Sequence, residues 1–523
     1  MSTAGGFRQS QSVLHTWSGV LVGWVLYLVF IAGTAAYWKD ELTRWMQPEA
    51  GLPAEPLHAV EHAQQFLLAT AADATRWHIE LPGARGGATS VRWQPQGQDA
   101  PRRGQPDPYR AQLDAHGAVM QLRDTQGGNF FYRLHFDLHH VPVLWARWFV
   151  CICAMFMLVA IISGIITHKK IFADFFTLRR GKHQRSWMDG HNALAVLSLP
   201  FHLMITYTGL ITLMTLYMPW AVNANYPGGR DAFFAELLPR AAPVERSGTA
   251  VVTPSLALVL QRAELHWNGH AASMQVDQPG DAALRIRVRR QPADRIAGSA
   301  DTLTFDAQGE MVGTAAPRSA AVVTRDGMIG LHAARFAPTT MRWLFFLSAV
   351  AGTLMVATGL VLWTVKRRAR LADPQCPHLG FRIVERLNIG FIAGLPVAML
   401  AFLWGNRLLP PGMGQRADAE ISVFFHAWAV CLLHALLRAP RRAWVEQLAL
   451  AALLALGLPV YNVVAWHGGL FTALAAGDGA LAGVDIALLL LGIALLWAAR
   501  KVQRQVPVSR RAQRPDTAAR GAA

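Results

Sequence analysis

The sequence predicts a predominantly α-helical integral membrane protein, with about eight transmembrane helices and two small α+β domains inserted between the first four. Three observations support this fold class. Only 16% of the 523 residues are charged, whereas soluble proteins carry about 25%. Eight apolar stretches are long enough to cross about 30 Å of hydrocarbon, which takes roughly 20 helical residues. A span–domain–span unit also occurs twice in the N-terminal part of the chain.

The eight apolar stretches lie near residues 13–37, 143–167, 192–217, 341–364, 388–409, 420–437, 443–466 and 480–499. The first is too long for the apolar core of a signal peptide and lacks a cleavage site, so it is predicted to be a retained helix. The predicted parts are a first transmembrane helix (1–38), an α+β domain (39–140), helices 2 and 3 with a basic loop (141–218), a second α+β domain (219–338), helix 4 (339–366), helices 5–8 (367–500) and a disordered basic tail (501–523).

Positive charge is concentrated in four short connections beside the apolar stretches. The net charge of +16 therefore reflects the positive-inside rule rather than nucleic-acid binding. With eight spans all four clusters lie on one side, which predicts a bacterial inner-membrane protein with cytoplasmic termini and periplasmic α+β domains. The clusters contain His168, Lys169, Lys170, Arg179, Arg180, Lys182 and Arg185; Lys366, Arg367, Arg368 and Arg370; Arg438, Arg441 and Arg442; and Arg500, Lys501, Arg504, Arg510, Arg511 and Arg514.

Each long polar segment combines a helical run with strand-like alternation. The runs 56–72 and 255–264 have helical periodicity, and "LRIRVRR" alternates like a strand. In both segments a strand is followed by Asp-x-x-Gly, at Asp114–Gly117 and at Asp306–Gly309. Because Asp and Gly favour turn conformations, both motifs predict β-hairpins.

The repeat continues into the apolar stretches. "LHTWSG" begins span 1 and "GHNALA" begins span 3. "LHFDLHH" precedes span 2, which ends in "SGIITH", and "LHAARF" precedes span 4, which ends in "TGLVLW". Residues at matching positions are therefore candidates for matching roles. Spans 5–8 lie outside the repeat and carry no pattern that predicts chemistry, and Trp404, Asn406 and Arg407 are interpreted as an interfacial anchor.

Histidines at the ends of the spans are the main indication of function. Ionisable residues in spans are costly and usually functional, and a neutral imidazole is a good axial ligand of haem iron. His191 and His202 are eleven residues apart, about three turns or roughly 16 Å along one helix, so they can serve two stacked haems. In that geometry His168, rather than His15, is the partner histidine from the first half of the chain. The chain has no C-x-x-C-H motif, which excludes the usual covalent attachment of a c-type haem.

The repeat suggests a different pairing of histidines. His15 matches His191, and the cluster around His139 matches His332, so each unit of the repeat contributes one imidazole to each of two haems. Both pairings remain open from the sequence. The candidate ligands of the haem iron are His15, His139, His191 and His332, followed by His202 and His168.

A zinc site is the competing metal interpretation. The stretch "HAVEH" at 58–62 matches the H-x-x-E-H pattern of zinc peptidases. No third ligand is evident, however, and the stretch lies on a predicted solvated helix. Seven further histidines are interpreted as interfacial or structural residues, namely His135, His140, His183, His378, His426, His434 and His467.

Three stretches resemble the PepSY-associated transmembrane family of bacterial iron-regulated membrane proteins. They are "LHTWSGVLVGWVL", "SGIITHKKIFADFFTLRRGKHQRSWMDGHNALAVLSLPFHLMITYTGL" and "GLHAARFAPTTMRWLFFLSAVAGTLMVATGLVLW". The two polar segments resemble PepSY domains. The downstream run "ERLNIGFIAGLPVAMLAFLWGNRLLP" resembles the C-terminal extension of the longer members.

The resemblance implies an inner-membrane ferric-siderophore reductase that contains two b haems and acts on ferric chelates at the periplasmic face. No G-x-G-x-x-G follows a strand and no P-loop is visible. The electron donor is therefore expected to be external, either a quinol or a cytoplasmic reductase. Arg179, Arg180 and Arg185 form a candidate docking site for such a donor.

The site of the ferric substrate is not predicted by any motif, and no catalytic residue can be named. Four arginines of the second polar segment are candidates for attracting an anionic chelate, namely Arg287, Arg289, Arg290 and Arg295. Two other functions stay open. One is a non-enzymatic PepSY regulator of envelope peptidases, which leaves the membrane histidines unexplained, and the other is a siderophore or iron transporter.

Overall fold

The structure is a computed structural model. It describes residues 6–83, 85–98, 107–168, 179, 184–237, 243–296, 301–314, 318–374, 376–466 and 469–504. Several residues named above lie outside the described residues, namely Lys169, Lys170, Arg180, Lys182, His183, His467 and the predicted disordered tail beyond residue 504.

Eight helical regions are long and apolar enough to cross a membrane, which confirms the predicted number. The described helices are α1 (Phe7–Ala36), α2 (Lys39–Met46), α3 (Pro56–Thr70), α4 (Asn129–Asp137), α5 (Val143–Thr167), α6 (Gln184–Leu197), α7 (Leu199–Tyr217), α8 (Trp220–Asn225), α9 (Gly229–Leu237), α10 (Leu256–Trp267), α11 (Ala320–Ala333), α12 (Thr339–Arg368), α13 (Leu379–Ile392), α14 (Gly394–Leu408), α15 (Arg416–Leu437), α16 (Pro440–Trp466), α17 (Leu470–Ala475) and α18 (Gly479–Arg504). The eight spanning regions are α1, α5, α7, α12, α13 together with α14, α15, α16 and α18.

The third predicted span is two helices rather than one. α6 ends at Leu197, and α7 begins at Leu199 with Pro200 in its first turn. Proline is favourable in the first turn of a helix, but in a helix interior it removes a hydrogen bond and clashes with the preceding turn. His191 and His202 therefore lie on different helices, and the prediction that one straight helix carries both differs from the structure.

The strand-bearing segments connect α1 to α5 and α7 to α12. Both segments therefore lie at the same end of the helical bundle, which we call the sheet side. The described basic residues Lys366, Arg367 and Arg368 end α12 at the opposite end, as Lys501 and Arg504 do in α18.

The two polar segments share one antiparallel sheet of eight strands, in the order β4-β3-β2-β1-β5-β6-β7-β8. The strands are β1 (Arg76–Glu80), β2 (Thr89–Gln94), β3 (Arg110–Leu113), β4 (Val119–Met120), β5 (Ala271–Asp277), β6 (Arg285–Arg290), β7 (Thr302–Phe305) and β8 (Met311–Thr314). The segments meet where β1 pairs with β5, with Trp77 opposite Val276 and Ile79 opposite Met274. These four side chains are buried in the core of the sheet domain. The two polar segments are thus joined through one continuous sheet.

Both predicted hairpins are present. The Asp114 carboxylate accepts hydrogen bonds from the backbone N–H groups of His116 (2.8 Å) and Ala118 (2.9 Å), and Gly117 has a φ of 82°. Asp306 accepts equivalent bonds in the other segment, and Gly309 has a φ of 73°. Only glycine adopts such a φ without strain, so the Asp-x-x-Gly spacing is explained by the turn.

Helices α13–α18 pack beside α1, α12 and α2. On the side opposite the sheet, the indole N–H of Trp24 donates to Asn388 (2.9 Å), which in turn donates to the Leu360 carbonyl (3.0 Å). At the sheet side Arg407 is buried and donates to Asn462 (2.8 Å). The interpretation of Arg407 as an interfacial anchor therefore differs from the structure, because its charge is held by polar groups inside the protein rather than at the lipid surface.

Candidate functional site

Two histidines from the two units of the repeat face each other at the end of the bundle opposite the sheet. His15 lies on α1 and His191 on α6. Their ring centroids are 6.3 Å apart and the ring planes are inclined by 63°. A metal–imidazole bond is about 2 Å long and the ring centroid lies roughly 1 Å beyond the nitrogen, so two imidazoles on opposite sides of one metal have centroids roughly 6 Å apart. The observed distance between the two ring centroids is therefore large enough for one metal atom to lie between the imidazoles.

Backbone carbonyl groups fix the orientation of both rings. Nδ1 of His15 lies 2.8 Å from the Ala160 carbonyl oxygen, and Nδ1 of His191 lies 2.9 Å from that of Met355. Each Nδ1–H donates to its carbonyl, which leaves Nε2 as the nitrogen that is available to a metal. Histidine ligands of metals usually have such a hydrogen bond on the other ring nitrogen.

Glycines make room for these imidazoles. Gly164 follows Ala160 by one helical turn, and Gly359 follows Met355 by the same spacing. A Cβ atom at Gly164 would lie 3.2 Å from Cε1 of His15, and one at Gly359 would lie 3.1 Å from Cε1 of His191. Both contacts are tighter than ordinary van der Waals distance. The two units of the repeat therefore build the same imidazole–carbonyl–glycine arrangement.

A second pair of histidines lies nearer the sheet. His332 is on α11, and its Nδ1 lies 3.1 Å from the Ile205 carbonyl of α7. A Cβ atom at Gly209, one turn after Ile205, would lie 2.9 Å from Cε1 of His332. His135 is on α4 and packs against Gly33 of α1. This pair is again related by the repeat, because each unit supplies one histidine on a short helix and one glycine on a span.

His135 and His332 line one large cavity of ≈ 1640 Å³. Burial lowers the pKa of each imidazole to about 4. Both rings are therefore neutral at pH 7, which is the form that binds a metal. Nδ1 of His135 is buried and has no hydrogen-bond partner among the described residues.

His139 does not lie opposite His332. α4 ends at Asp137, and the next two residues have positive φ angles of 50° at Leu138 and 45° at His139, which turn the chain away from the cavity. The exposed ring of His139 instead stacks on Phe425 of α15, with centroids 5.4 Å apart. The pairing of His139 with His332 that the repeat suggested therefore differs from the arrangement in the structure, in which His135 takes that position.

The two further candidate ligands lie outside both pairs. His202 is buried on α7 beside Phe30, and its Nε2 has no hydrogen-bond partner within the described part of the chain. His168 follows the last residue of α5 and is half-buried. His15, rather than His168, is the histidine that the structure brings to His191.

Two other histidines contact groups within the protein. His378 caps α13 by accepting a hydrogen bond from Phe381 N–H (3.2 Å), and His434 contacts Glu446 (2.9 Å). Nowhere in the described ranges do three His, Cys, Asp or Glu side chains converge as a metal site. The stretch 58–62 therefore lacks the third ligand that a zinc peptidase needs. Pairs of imidazoles without a third protein ligand instead suit a metal that is already held in a plane by a macrocycle.

The sheet-side end of the cavity is polar and charged. Arg85 forms ion pairs with Glu41 and with Asp40 (3.2 Å). Burial opposes ionisation of the Asp40 carboxyl, but Lys39 and Arg85 outweigh it and hold its pKa below the ordinary value. Burial also opposes the charge of Arg85, but Glu41 and Asp40 outweigh it and raise its pKa. This end of the cavity is therefore a set of ionised groups at neutral pH.

These features define a polytopic membrane protein with two stacked histidine pairs beneath an antiparallel sheet. The chain belongs to the PepSY-associated TM region family, which matches residues 12–366. It is also similar to an uncharacterized protein of Pseudomonas aeruginosa, with 24% identity over 308 residues that cover 56% of this chain and 75% of the relative. The predicted family is confirmed. Helices α13–α18 lie beyond the matched residues.

The sequence contained a signal for His135 that the repeat comparison missed. The dipeptide Leu134-His135 matches Leu331-His332 directly, whereas His139 lies four residues further along. The short helices α4 and α11 both place this histidine near their C-terminal ends. An alignment of the two Leu-His dipeptides would therefore have selected His135.

Proposed function

We propose that the chain is a transmembrane electron-transfer protein that binds two b haems and reduces ferric chelates at the sheet side. The observation that carries this proposal is the pair His15 and His191, whose ring centroids are 6.3 Å apart and whose Nδ1 atoms are both held by backbone carbonyl groups. When bound, haem supplies a one-electron carrier whose iron changes between Fe(III) and Fe(II).

The protein's own residues have three tasks in this proposal. His15 and His191 would hold one iron, and His135 and His332 would hold the other. For His15, His191 and His332 the carbonyl contact at Nδ1 leaves Nε2 as the nitrogen for the metal. The glycines at the four imidazoles leave space for the rings. The apolar helices exclude water and ions from the path between the two pairs, which favours transfer of electrons without leakage of protons. Axial ligands, burial and hydrogen bonds to the ligands then set the potentials.

We take the sheet side to be periplasmic, since the described basic ends of α12 and α18 lie on the other side. Oxidation of one quinol releases two electrons and two protons and reduces two ferric chelates to ferrous chelates. A cytoplasmic reductase is the alternative donor. Reduction weakens binding of iron by hard oxygen ligands because Fe(II) carries less charge, so iron leaves the chelator. A ferric siderophore is the substrate that the family resemblance favours.

The first experiment measures haem content. We expect purified wild-type protein to contain two b haems per chain, with a Soret band and sharp α-bands after reduction. His191→Ala should remove one haem equivalent, and His332→Ala should remove the other. Each loss follows because a haem that keeps only one axial histidine is held by a single metal–protein bond.

His426→Ala is the matched control, because His426 is exposed on α15 and its Nδ1 lies 2.7 Å from the Ser422 carbonyl of its own helix. This variant should keep both haems. A colourless wild-type preparation from haem-replete cells would contradict the proposal and favour the non-enzymatic PepSY regulator. Uptake of a ferric siderophore into proteoliposomes without any reductant would favour the transporter.

A further inference from the structure

The C-terminal helices contribute part of the wall of the cavity that contains His135 and His332. The turn between α17 and α18 lines it with residues 477–480. These residues lie more than a hundred positions beyond the end of the family match at residue 366. The helices outside the family region therefore do more than pack beside it, because they help to enclose the proposed site of electron delivery.

The charged part of the cavity wall has more positive than negative groups. Among the described residues that line it are six cationic and three acidic side chains, namely Lys39, Arg44, Arg85, Arg147, Arg335 and Arg342 with Asp40, Glu41 and Asp478. Two of the acidic groups, Asp40 and Glu41, come from α2 and pair with Arg85. Asp478 is the acidic group that the C-terminal helices provide.

Arg44 and Asp478 form a buried ion pair at this wall, with side-chain exposures of 6% and 9%. One NH2 group of Arg44 donates to the Asp478 carboxylate. The other carboxylate oxygen accepts from Leu481 N–H (3.1 Å) and so caps the start of α18. The Nε–H of Arg44 is buried and has no hydrogen-bond partner within the described ranges. Asp478 therefore neutralises the charge of Arg44 but leaves the Nε–H donor of Arg44 without a partner among the described residues.

A guanidinium group prefers to bind a carboxylate through two parallel N–H donors. Asp478 takes an NH2 donor of Arg44, and the buried Nε–H that is left without a partner is unfavourable unless a ligand or water satisfies it. A ligand that carries a carboxylate or another anionic oxygen is favoured for two reasons, because it can accept a hydrogen bond from this Nε–H and because it is attracted by the excess of positive charge. An uncharged ligand gains neither advantage.

We propose that Asp478 determines the charge selectivity of this cavity, which binds small anionic ferric chelates through Arg44 and its cationic neighbours. This inference rests on the proposed function for the identity of the substrate. Asp478 lowers the affinity of the site for anions because its negative charge offsets the positive charge of Arg44. Uncharged chelates therefore compete with anionic chelates for the site. The C-terminal helices thus tune the specificity of the outer site.

The test compares chelates of different charge on the full-length protein in detergent. Gallium(III) citrate is anionic and cannot be reduced, so its dissociation constant reports binding alone. Asp478→Asn should bind gallium(III) citrate about tenfold more tightly than wild type, since one negative charge is removed from a partly buried site. The uncharged gallium(III) complex of a cyclic trihydroxamate should bind equally to both proteins. The KM for ferric citrate reduction should fall in parallel.

Two further variants distinguish an effect on charge selectivity from a general effect on the structure. The double variant Arg44→Gln/Asp478→Asn restores the net charge, so its affinity for gallium(III) citrate should return to about the wild-type value. Glu446→Gln makes the same chemical change near the other end of the C-terminal helices, where Glu446 pairs with Arg438 (2.8 Å). It should leave both dissociation constants unchanged.

Equal shifts for the charged and uncharged gallium complexes in Asp478→Asn, or no shift for either, would overturn the inference. If a carboxylate of bound haem occupies Arg44, Asp478→Asn should alter haem retention while citrate binding stays the same, and that result would also overturn it. A wild-type protein without haem would instead defeat the proposed function, and the binding of gallium(III) citrate would still decide the role of Asp478.

Discussion

The four imidazoles of the candidate pairs each pack against a glycine on a neighbouring span. For His15, His191 and His332 the ring also contacts a carbonyl four residues, about one helical turn, before that glycine. Glycine lacks Cβ and lets the ring lie against the helix backbone. Among the described contacts His135 has no hydrogen bond to the equivalent carbonyl of α1, although Val29 occupies the position one turn before Gly33 and lines the same cavity. The repeated arrangement is therefore a device for holding imidazoles in one orientation.

Gly359→Ala tests this device. The new methyl group would lie 3.1 Å from Cε1 of His191, so the ring must move or the helices must separate. Overpacking of this kind costs about 1–3 kcal/mol, which corresponds to a loss of haem affinity of roughly 5- to 150-fold. We expect the haem of the His15–His191 pair to be depleted or its reduced spectrum to change, measured by titration of haem into apoprotein.

Gly19→Ala is the control, because a Cβ atom at Gly19 of α1 meets no atom within 4 Å. Alanine is a better helix former than glycine by about 1 kcal/mol, so this variant should be at least as stable as wild type and keep both haems. Equal haem affinity in Gly359→Ala and wild type would show that glycine is not needed at this position.

How far the sequence predicts the site depends on which residues are considered. The repeat places His15 and His191 at matching positions, and the structure brings them together. The sequence does not reveal that Pro200 divides the third span, because a proline in an apolar run is also compatible with a kinked helix. It also does not distinguish His135 from His139, since that depends on two positive φ angles after α4. Local backbone conformation of this kind is decided by tertiary packing.

At the scale of elements, the sheet joins the two units of the repeat into one domain. Asp277 of β5 is buried and pairs with Arg76 of β1 (2.6 Å) and Arg287 of β6 (2.7 Å), so it links strands from both segments. Alternation of residues predicts the strand β6 in "LRIRVRR", but strand pairing between distant segments has no local signature. The continuous sheet could therefore not be predicted from the sequence.

Asp277→Asn should weaken the junction between the two segments. Loss of the carboxylate leaves the partly buried Arg287 without its ionic partner, which costs about 1–3 kcal/mol. Hydrogen exchange measured by mass spectrometry should increase in peptides that contain β1 and β5. Glu310→Gln removes a carboxylate from an exposed ion pair with Arg262 (2.8 Å) and should change exchange little. Unchanged exchange in Asp277→Asn would mean that apolar contacts alone hold the junction.

At the scale of the whole molecule, a buried polar network joins the C-terminal helices to the family region. Arg407 of α14 donates to the Trp45 carbonyl of α2 (2.7 Å), and its guanidinium lies 3.7 Å from the centroid of the Trp45 ring. The indole N–H of Trp45 donates to Asp485 of α18 (2.9 Å), and Asn462 of α16 also donates to Asp485 (3.1 Å). Polar groups inside a membrane protein are costly unless they are paired, so this network favours one specific association of the two groups of helices.

The number of spans was predictable from apolar length, but the docking of spans 5–8 was not. Lipid-facing and protein-facing apolar residues have the same composition in a membrane, so hydrophobicity gives no direction to a span. Asp485 and Arg407 were visible as polar residues near the ends of apolar stretches, where an interfacial position is the usual explanation. Their burial follows from partners on α2 and α16, which are distant in sequence.

Arg407→Leu should weaken the attachment of the C-terminal helices while both haems are retained. The substitution leaves Asp485 and Asn462 buried without the cation, and removal of one partner of a buried charged network costs about 3–5 kcal/mol. A protease site inserted between Arg370 and Cys376 allows the chain to be cut between α12 and α13. After cleavage the wild-type fragments should elute together in detergent, whereas a measurable fraction of the Arg407→Leu fragments should separate.

Arg500→Leu, an exposed change at the far end of α18, should behave like wild type. Fragments that stay together in Arg407→Leu would show that apolar packing, including that around Trp24 and Asn388, is sufficient to hold the two groups of helices.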